Sequence, residues 1–118
     1  MERRFYNPEK RTGMWVIQLC PAFEVRKARE TEKIPSNSTG IYRYLTETGD
    51  IVYIGRGEIN ARLKSPDRKD WYFDYIEYSE INDPDMQVHW ETYWIDKFKE
   101  QNNGKLPTYN KLSGIKVE

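Results

Sequence analysis

The chain has 118 residues and a mass of 14.2 kDa, room for one small domain. Hydrophobic residues make up 37% and charged residues 32%, with 19 Lys+Arg balancing 19 Asp+Glu. That composition excludes a disordered polyelectrolyte and a domain basic overall, though charge arranged locally can still meet a polyanion. Cys20 is the single cysteine. It excludes an intramolecular disulfide and a cysteine-cluster zinc site, and a reducing, intracellular compartment is expected. No apolar run approaches bilayer length, so no membrane partner is expected. Met1-Glu2-Arg3-Arg4-Phe5-Tyr6 leads into no apolar core, so no signal peptide is expected.

Charge is uneven along the chain. Residues 1–29 hold seven basic and three acidic residues, a net +4, while residues 30–79 and 80–118 each carry −2. The excess sits on Arg3, Arg4, Lys10, Arg11, Arg26, Lys27 and Arg29. Two readings stand for this arm: solvated surface charge, or a phosphate-contacting segment. Within it, Met14-Trp15-Val16-Ile17-Gln18-Leu19 reads as a strand stopped by Pro21. Pro35-Ser36-Asn37-Ser38 reads as a loop.

Gly40-Ile41-Tyr42-Arg43-Tyr44-Leu45 and Ile51-Val52-Tyr53-Ile54 are β-branched and aromatic, separated by Thr46-Glu47-Thr48-Gly49-Asp50. This predicts an antiparallel hairpin. A two-residue loop at Thr48 and Gly49 sets Tyr42 opposite Gly55 and Tyr44 opposite Tyr53. Ile41, Leu45, Val52 and Ile54 then share one face, and Tyr42, Tyr44 and Tyr53 the other. After Gly55-Arg56-Gly57, a short helix is predicted over 58–64, with Ile59 and Leu63 on one face and Arg62 beside it. Ser65-Pro66-Asp67 ends it. Trp71 to Tyr78 reads as a third strand.

The last element is a helix opened by Asp83 as N-cap and Pro84 at its first position, and stopped at Asn103-Gly104. Val88, Ile95 and Phe98 mark its predicted core stripe. Glu91 lies three after Val88 and four before Ile95, and is therefore placed on the buried face. A carboxylate there is costly unless it pairs with a lysine or arginine, reaches out at the stripe's edge, or binds a cation. His89 falls on a different helix face and reads as surface.

Gly40-Ile41-Tyr42 followed by Tyr53-Ile54-Gly55 resembles the signature of the GIY-YIG nuclease family. The order of Arg62, Glu91 and Pro107-Thr108-Tyr109-Asn110 is similar to the family's remaining motifs. The resemblance spans residues 39–110, about three fifths of the chain. It implies hydrolysis of DNA phosphodiester bonds with one divalent metal, Mg2+ or Mn2+.

It also implies roles for individual residues. Tyr42 and Tyr53 match the active-site tyrosines, with Tyr42 expected as general base and Tyr53 orienting water or phosphate, the order being reversible. A phenol with an ordinary pKa near ~10 needs a cationic neighbour to do this. Arg62 matches the catalytic arginine, whose planar fork grips two phosphate oxygens. Glu91 matches the metal ligand and Asn110 a supporting asparagine. Arg56 stands where many members carry lysine. It can bind phosphate but cannot act as a base. Gly55, Gly57 and Lys64 complete the expected DNA-contacting set, Gly57 by allowing close backbone approach.

The expected fold is α/β of the α+β type: a small, mainly antiparallel three-stranded sheet flanked by helices, GIY-YIG-like over residues 39–118. Residues 1–38 form an N-terminal basic extension, with Met14–Leu19 as a candidate edge strand. The expected activity is that of a metal-dependent DNA endonuclease, cytoplasmic or nucleoid-associated. A second copy or a partner protein is a candidate source of specificity. The alternative is a non-catalytic DNA-binding or protein-interaction module that keeps the fold.

Overall fold

The structure, a computed structural model, describes residues 3–6, 16–19, 22–25 and 32–110. In chain order the elements are β1 (Arg3–Tyr6), β2 (Val16–Leu19), β3 (Phe23–Glu24), β4 (Thr39–Leu45), β5 (Ile51–Glu58), α1 (Ile59–Leu63), a 3-10 turn at Pro66–Arg68, β6 (Tyr75–Glu80) and α2 (Pro84–Gln101). The main sheet is antiparallel, in the order β3-β6-β4-β5. Three full strands carry it, as expected of this α+β fold, and β3 adds two residues at one edge. No helix among the described residues is long and apolar enough to cross a membrane.

The edge strand differs from the one expected. Val16–Leu19 pairs with Arg3–Tyr6, Arg3 opposite Leu19, in a separate two-stranded sheet. The edge of β6 is taken by β3, with Phe23 opposite Ile76. Met14 and Trp15, and the basic residues Lys10, Arg11, Arg26, Lys27 and Arg29, lie outside the described residues.

The β4–β5 hairpin has the predicted register in its body: Tyr42 faces Gly55 and Tyr44 faces Tyr53. Its tip does not. A register shift after Tyr44 sets Leu45 opposite Ile51, and Thr46 to Asp50 form a longer turn, closed by Thr46 N–H donating to Asp50 O at 2.9 Å. The bulge moves one residue across the sheet. Val52 therefore packs with the tyrosines, and Ile51 takes the isoleucine side.

Each face of the sheet has its own core. On one, Tyr42, Tyr44 and Tyr53 pack with Ile76, Tyr78, Phe73 and the α1 residues Ile59 and Leu63. On the other, Ile41 and Ile54 meet Trp90 and Trp94 of α2. The third strand begins later than predicted, at Tyr75. Residues 71–73 are out of strand geometry, and Trp71 and Phe73 pack on the tyrosine core, where Phe73 stacks on Tyr44 with centroids 4.0 Å apart.

Helix α2 starts as predicted. Pro84 is its first residue, and Asp83 accepts the Asp85 N–H at 2.9 Å. Its buried stripe is displaced, however. Gln87, Trp90 and Trp94 are buried, whereas Val88 is 44% exposed. The two tryptophans carry far more apolar area than valine and set the helix's rotation. Glu91 is thereby moved to the stripe's edge, half-buried. His89 is also half-buried, its ring edge-on to Trp90 at 5.0 Å, in place of the surface position expected.

Beneath Trp94 lies an ion pair that the pattern did not reveal. Arg43 of β4 and Glu77 of β6 stand directly opposite and bond side chain to side chain, with both groups buried. The Arg43 guanidinium lies 5.3 Å from the Trp94 ring centroid. Removing one member of a buried pair leaves an uncompensated charge. Glu77→Ala should therefore destabilise the fold by about 3–5 kcal/mol in urea titrations. Arg43→Met combined with Glu77→Leu should cost clearly less than that single change.

Candidate active site

The predicted residues gather along one strand. Among the described residues β5 is the outer strand of the main sheet, and its stretch Tyr53–Gly57 sends side chains alternately to the two faces. Tyr53 and Gly55 belong to the tyrosine face, as Tyr42 does. Arg56, opposite Ile41, belongs to the α2 face.

On the α2 face, Arg56 Nε donates to Glu91 Oε1 at 3.0 Å. The sequence had left Glu91 open between an arginine partner and a cation. The structure provides the arginine, and through Oε1 alone. Burial raises the Glu91 carboxyl above its ordinary value, while Arg56 and, more weakly, Arg62 pull it back. No group of three or more His, Cys, Asp or Glu side chains is gathered among the described residues. A lone, partly desolvated carboxylate with one oxygen unbonded suits magnesium, which takes one or two carboxylates and completes its shell with water and phosphate oxygens.

Arg62 projects from α1 toward the same edge. It is exposed, and its guanidinium lies over Gly57. A Cβ placed on Gly57 would stand 3.0 Å from Arg62 Nε, and the backbone φ there is +116°. Both the conformation and the close approach call for glycine. Gly55 is needed for another reason: a Cβ there would fall 2.6 Å from a Tyr53 ring carbon and 2.7 Å from Tyr42 Oη. The hydroxyl of Tyr42 thus sits against the strand two residues before Gly57.

The phenols themselves are deep. Tyr42 is fully buried and Tyr53 nearly so, with ring centroids 6.0 Å apart. Arg68, from the 3-10 turn, joins them. Its Nη1 donates to Tyr42 Oη at 3.0 Å and to Tyr44 Oη at 2.9 Å, and its Nη2 to Tyr53 Oη at 3.3 Å. Burial holds the Tyr42 phenol well above its ordinary value, and Tyr44 and Tyr53 push the same way. Arg68 opposes them by charge and by its hydrogen bond. Arg68 and Tyr44 are the residues that sequence reasoning missed. Tyr44 was visible on the phenol face. Nothing marked Arg68, a basic residue in a turn, as the partner of three hydroxyls.

Asn110 clamps the strand between these groups. Its Nδ2 donates to Ile54 O at 2.9 Å and its Oδ1 accepts the Ile54 N–H at 2.8 Å. Ile54 lies between Tyr53 and Gly55, so the clamp fixes the backbone from which the tyrosine and glycine are displayed. Lys64 stands apart from this set. It lines a cleft of about 580 Å³ beside the C-terminal end of α1, which Tyr42, Tyr53, Arg62 and Glu91 do not line.

Comparison with family models, with curated proteins and with solved structures gives no match.

Two outcomes follow from this geometry. Asn110→Ala strips two buried backbone groups of their partner and should cost about 1–3 kcal/mol per group left unsatisfied, measured by urea denaturation. For Glu91, a folded-state value above the unfolded one means that the native state binds more protons. Stability then falls as pH rises between the two values. Glu91→Gln should therefore raise the thermal midpoint at neutral pH in chelator-containing buffer. It should leave the midpoint unchanged below the ordinary carboxyl value of about 4.3.

Proposed function

We propose that the chain is a divalent-metal-dependent endonuclease of the GIY-YIG type, hydrolysing DNA phosphodiester bonds. The observation that carries this reading is the convergence of Tyr42, Tyr53, Arg56, Arg62 and Glu91 on the five-residue edge Tyr53–Gly57, with Asn110 holding that edge at Ile54. An intracellular setting agrees with the single cysteine.

Phosphodiester hydrolysis needs an activated water, charge stabilisation at phosphorus and help for the leaving oxygen. Arg62 is exposed and offers a planar two-point grip on phosphate oxygens. Arg56 exchanges the Glu91 carboxylate for an incoming phosphate oxygen, which releases Glu91. Glu91 would hold the magnesium or manganese ion, which when bound would supply positive charge at the phosphate and lower the pKa of a bound water. The tyrosine roles follow burial. Tyr42 is fully enclosed with a raised pKa, which disfavours it as the base. Tyr53 is the slightly more accessible of the two, so the reversed order is preferred: Tyr53 faces the water, and Tyr42 supports it through the Arg68-linked hydroxyls.

One observation favours the non-catalytic alternative. The Arg56–Glu91 pair gives the carboxylate a structural reason to exist, although such a half-exposed pair contributes only about 0–1 kcal/mol.

Supercoiled plasmid with magnesium decides between the two. Nicking is expected in the wild type and absence of nicking in Glu91→Ala, with the thermal midpoint of the variant unchanged or higher. Arg62→Lys should lose on the order of 10²-fold or more in rate, because a point charge does not reproduce the planar grip. Tyr53→Phe should lose roughly 10²- to 10⁴-fold with the fold intact. A wild-type chain that binds plasmid but never nicks it would establish the binding-module reading.

A further inference from the structure

The cleft beside α1 has no part in the chemistry above. It is lined by two lysines, Lys64 and Lys69, by two carboxylate residues, Glu47 and Asp74, and by Trp71 and Tyr72. Its volume of about 580 Å³ falls within the ordinary range for ligand sites.

Three features suggest an occupant. Lys64 and Lys69 are exposed and make no ion pair among the described residues. Tyr72 is 80% exposed, the larger of the two big apolar side chains left in solvent among the described residues. It is nevertheless anchored, since its backbone N–H donates to Tyr109 Oη at 2.8 Å. Behind it, Trp71 is stacked on Tyr109 with centroids 4.5 Å apart and planes within 4°. The ring of Tyr72 is thus presented on a fixed base, with a π-face in water and cations beside it.

An aromatic face with neighbouring lysines is how a single-stranded nucleic acid is held, the bases stacking and the cations tracking the backbone. The carboxylates refine this. A purely phosphate-binding groove would exclude them, whereas a nucleotide base offers amino groups that a carboxylate accepts. A paired base inside a duplex exposes no face to stack on.

We propose that this cleft binds one unpaired nucleotide of a DNA strand, its base stacked on Tyr72 and its phosphates held by Lys64 and Lys69. The proposal rests on the nuclease reading for what brings DNA to the chain, and Lys64 is two residues along the chain from Arg62. The preferred substrate is then DNA with a single-stranded stretch beside the cut, rather than uninterrupted duplex.

The test measures binding alone, in chelator, by fluorescence anisotropy of a labelled single-stranded deoxyoligonucleotide and of a blunt-ended, fully paired duplex. Tyr72→Ala should weaken the single strand roughly 5- to 100-fold, Tyr72→Phe should restore it, and duplex affinity should not change. Lys64→Ala with Lys69→Ala should lower the slope of log affinity against log salt by roughly 1.4 for the single strand. Unchanged far-UV circular dichroism would show that the variants fold. Equal affinity of Tyr72→Ala and wild type for the single strand, or equal loss on both DNAs, would overturn the proposal. Because no cleavage is read, a chain that holds single strands through Tyr72 yet never nicks plasmid would refute only the nuclease reading. A chain that nicks but binds single strands independently of Tyr72 would refute only this one.

Discussion

Three phenol oxygens share one guanidinium at the centre of this fold. A core made of tyrosines has a difficulty that a leucine core does not: every ring buried for its apolar area brings a hydroxyl that must find a partner. Arg68 meets that demand for Tyr42, Tyr44 and Tyr53 together. It also lies against the rings of Tyr53 and Trp71, with its guanidinium 4.8 and 4.9 Å from their centroids. The hairpin, the 3-10 turn and the segment from Trp71 to Phe73 are therefore tied through one side chain. The same contact decides what the phenols can do. A neighbouring cation favours phenolate, yet here burial outweighs it at Tyr42.

The second organising element is an outer strand used on both faces. Alternation along Tyr53–Gly57 gives the tyrosine side one set of groups and the α2 side another. The two glycines then let Tyr42 Oη and the Arg62 guanidinium come against the backbone from outside. Groups that belong to separate cores thus meet at a boundary rather than in a cavity.

Much of this was legible in the sequence, for physical reasons that differ by element. The hairpin body was readable because its isoleucines and tyrosines alternate with the period of the pleat. Its tip was not, since a bulge leaves no mark in the pattern of apolar residues. The start of α2 was written in Asp83 and Pro84, but its rotation was not: a stripe through Val88, Ile95 and Phe98 leaves out Trp90 and Trp94, which bury most deeply and turn Val88 outward. The third strand was drawn too long, because an aromatic run looks the same whether it lies in a ladder or folds into a core. Arg43, Glu77 and Arg68 escaped altogether. Their burial depends on partners far away in the chain, and a charged residue gives no local sign that it will be enclosed. The site residues themselves were placed by their resemblance to a motif. The geometry adds that Arg56 holds Glu91 and that Tyr42 lies deeper than Tyr53.

The clamp at Ile54 has a consequence for assembly. The last strand of an open sheet offers its spare hydrogen-bonding groups to any extended chain that comes by, and natural proteins guard such borders to avoid sticking to one another. Asn110 uses both arms of its amide on the middle of β5, so a foreign strand cannot continue the ladder past that point. Two copies of this protein are thereby steered away from zipping together through β5. Loss of the Asn110 side chain would do more than loosen the backbone at Ile54: it would leave a self-adhesive border along the outer strand.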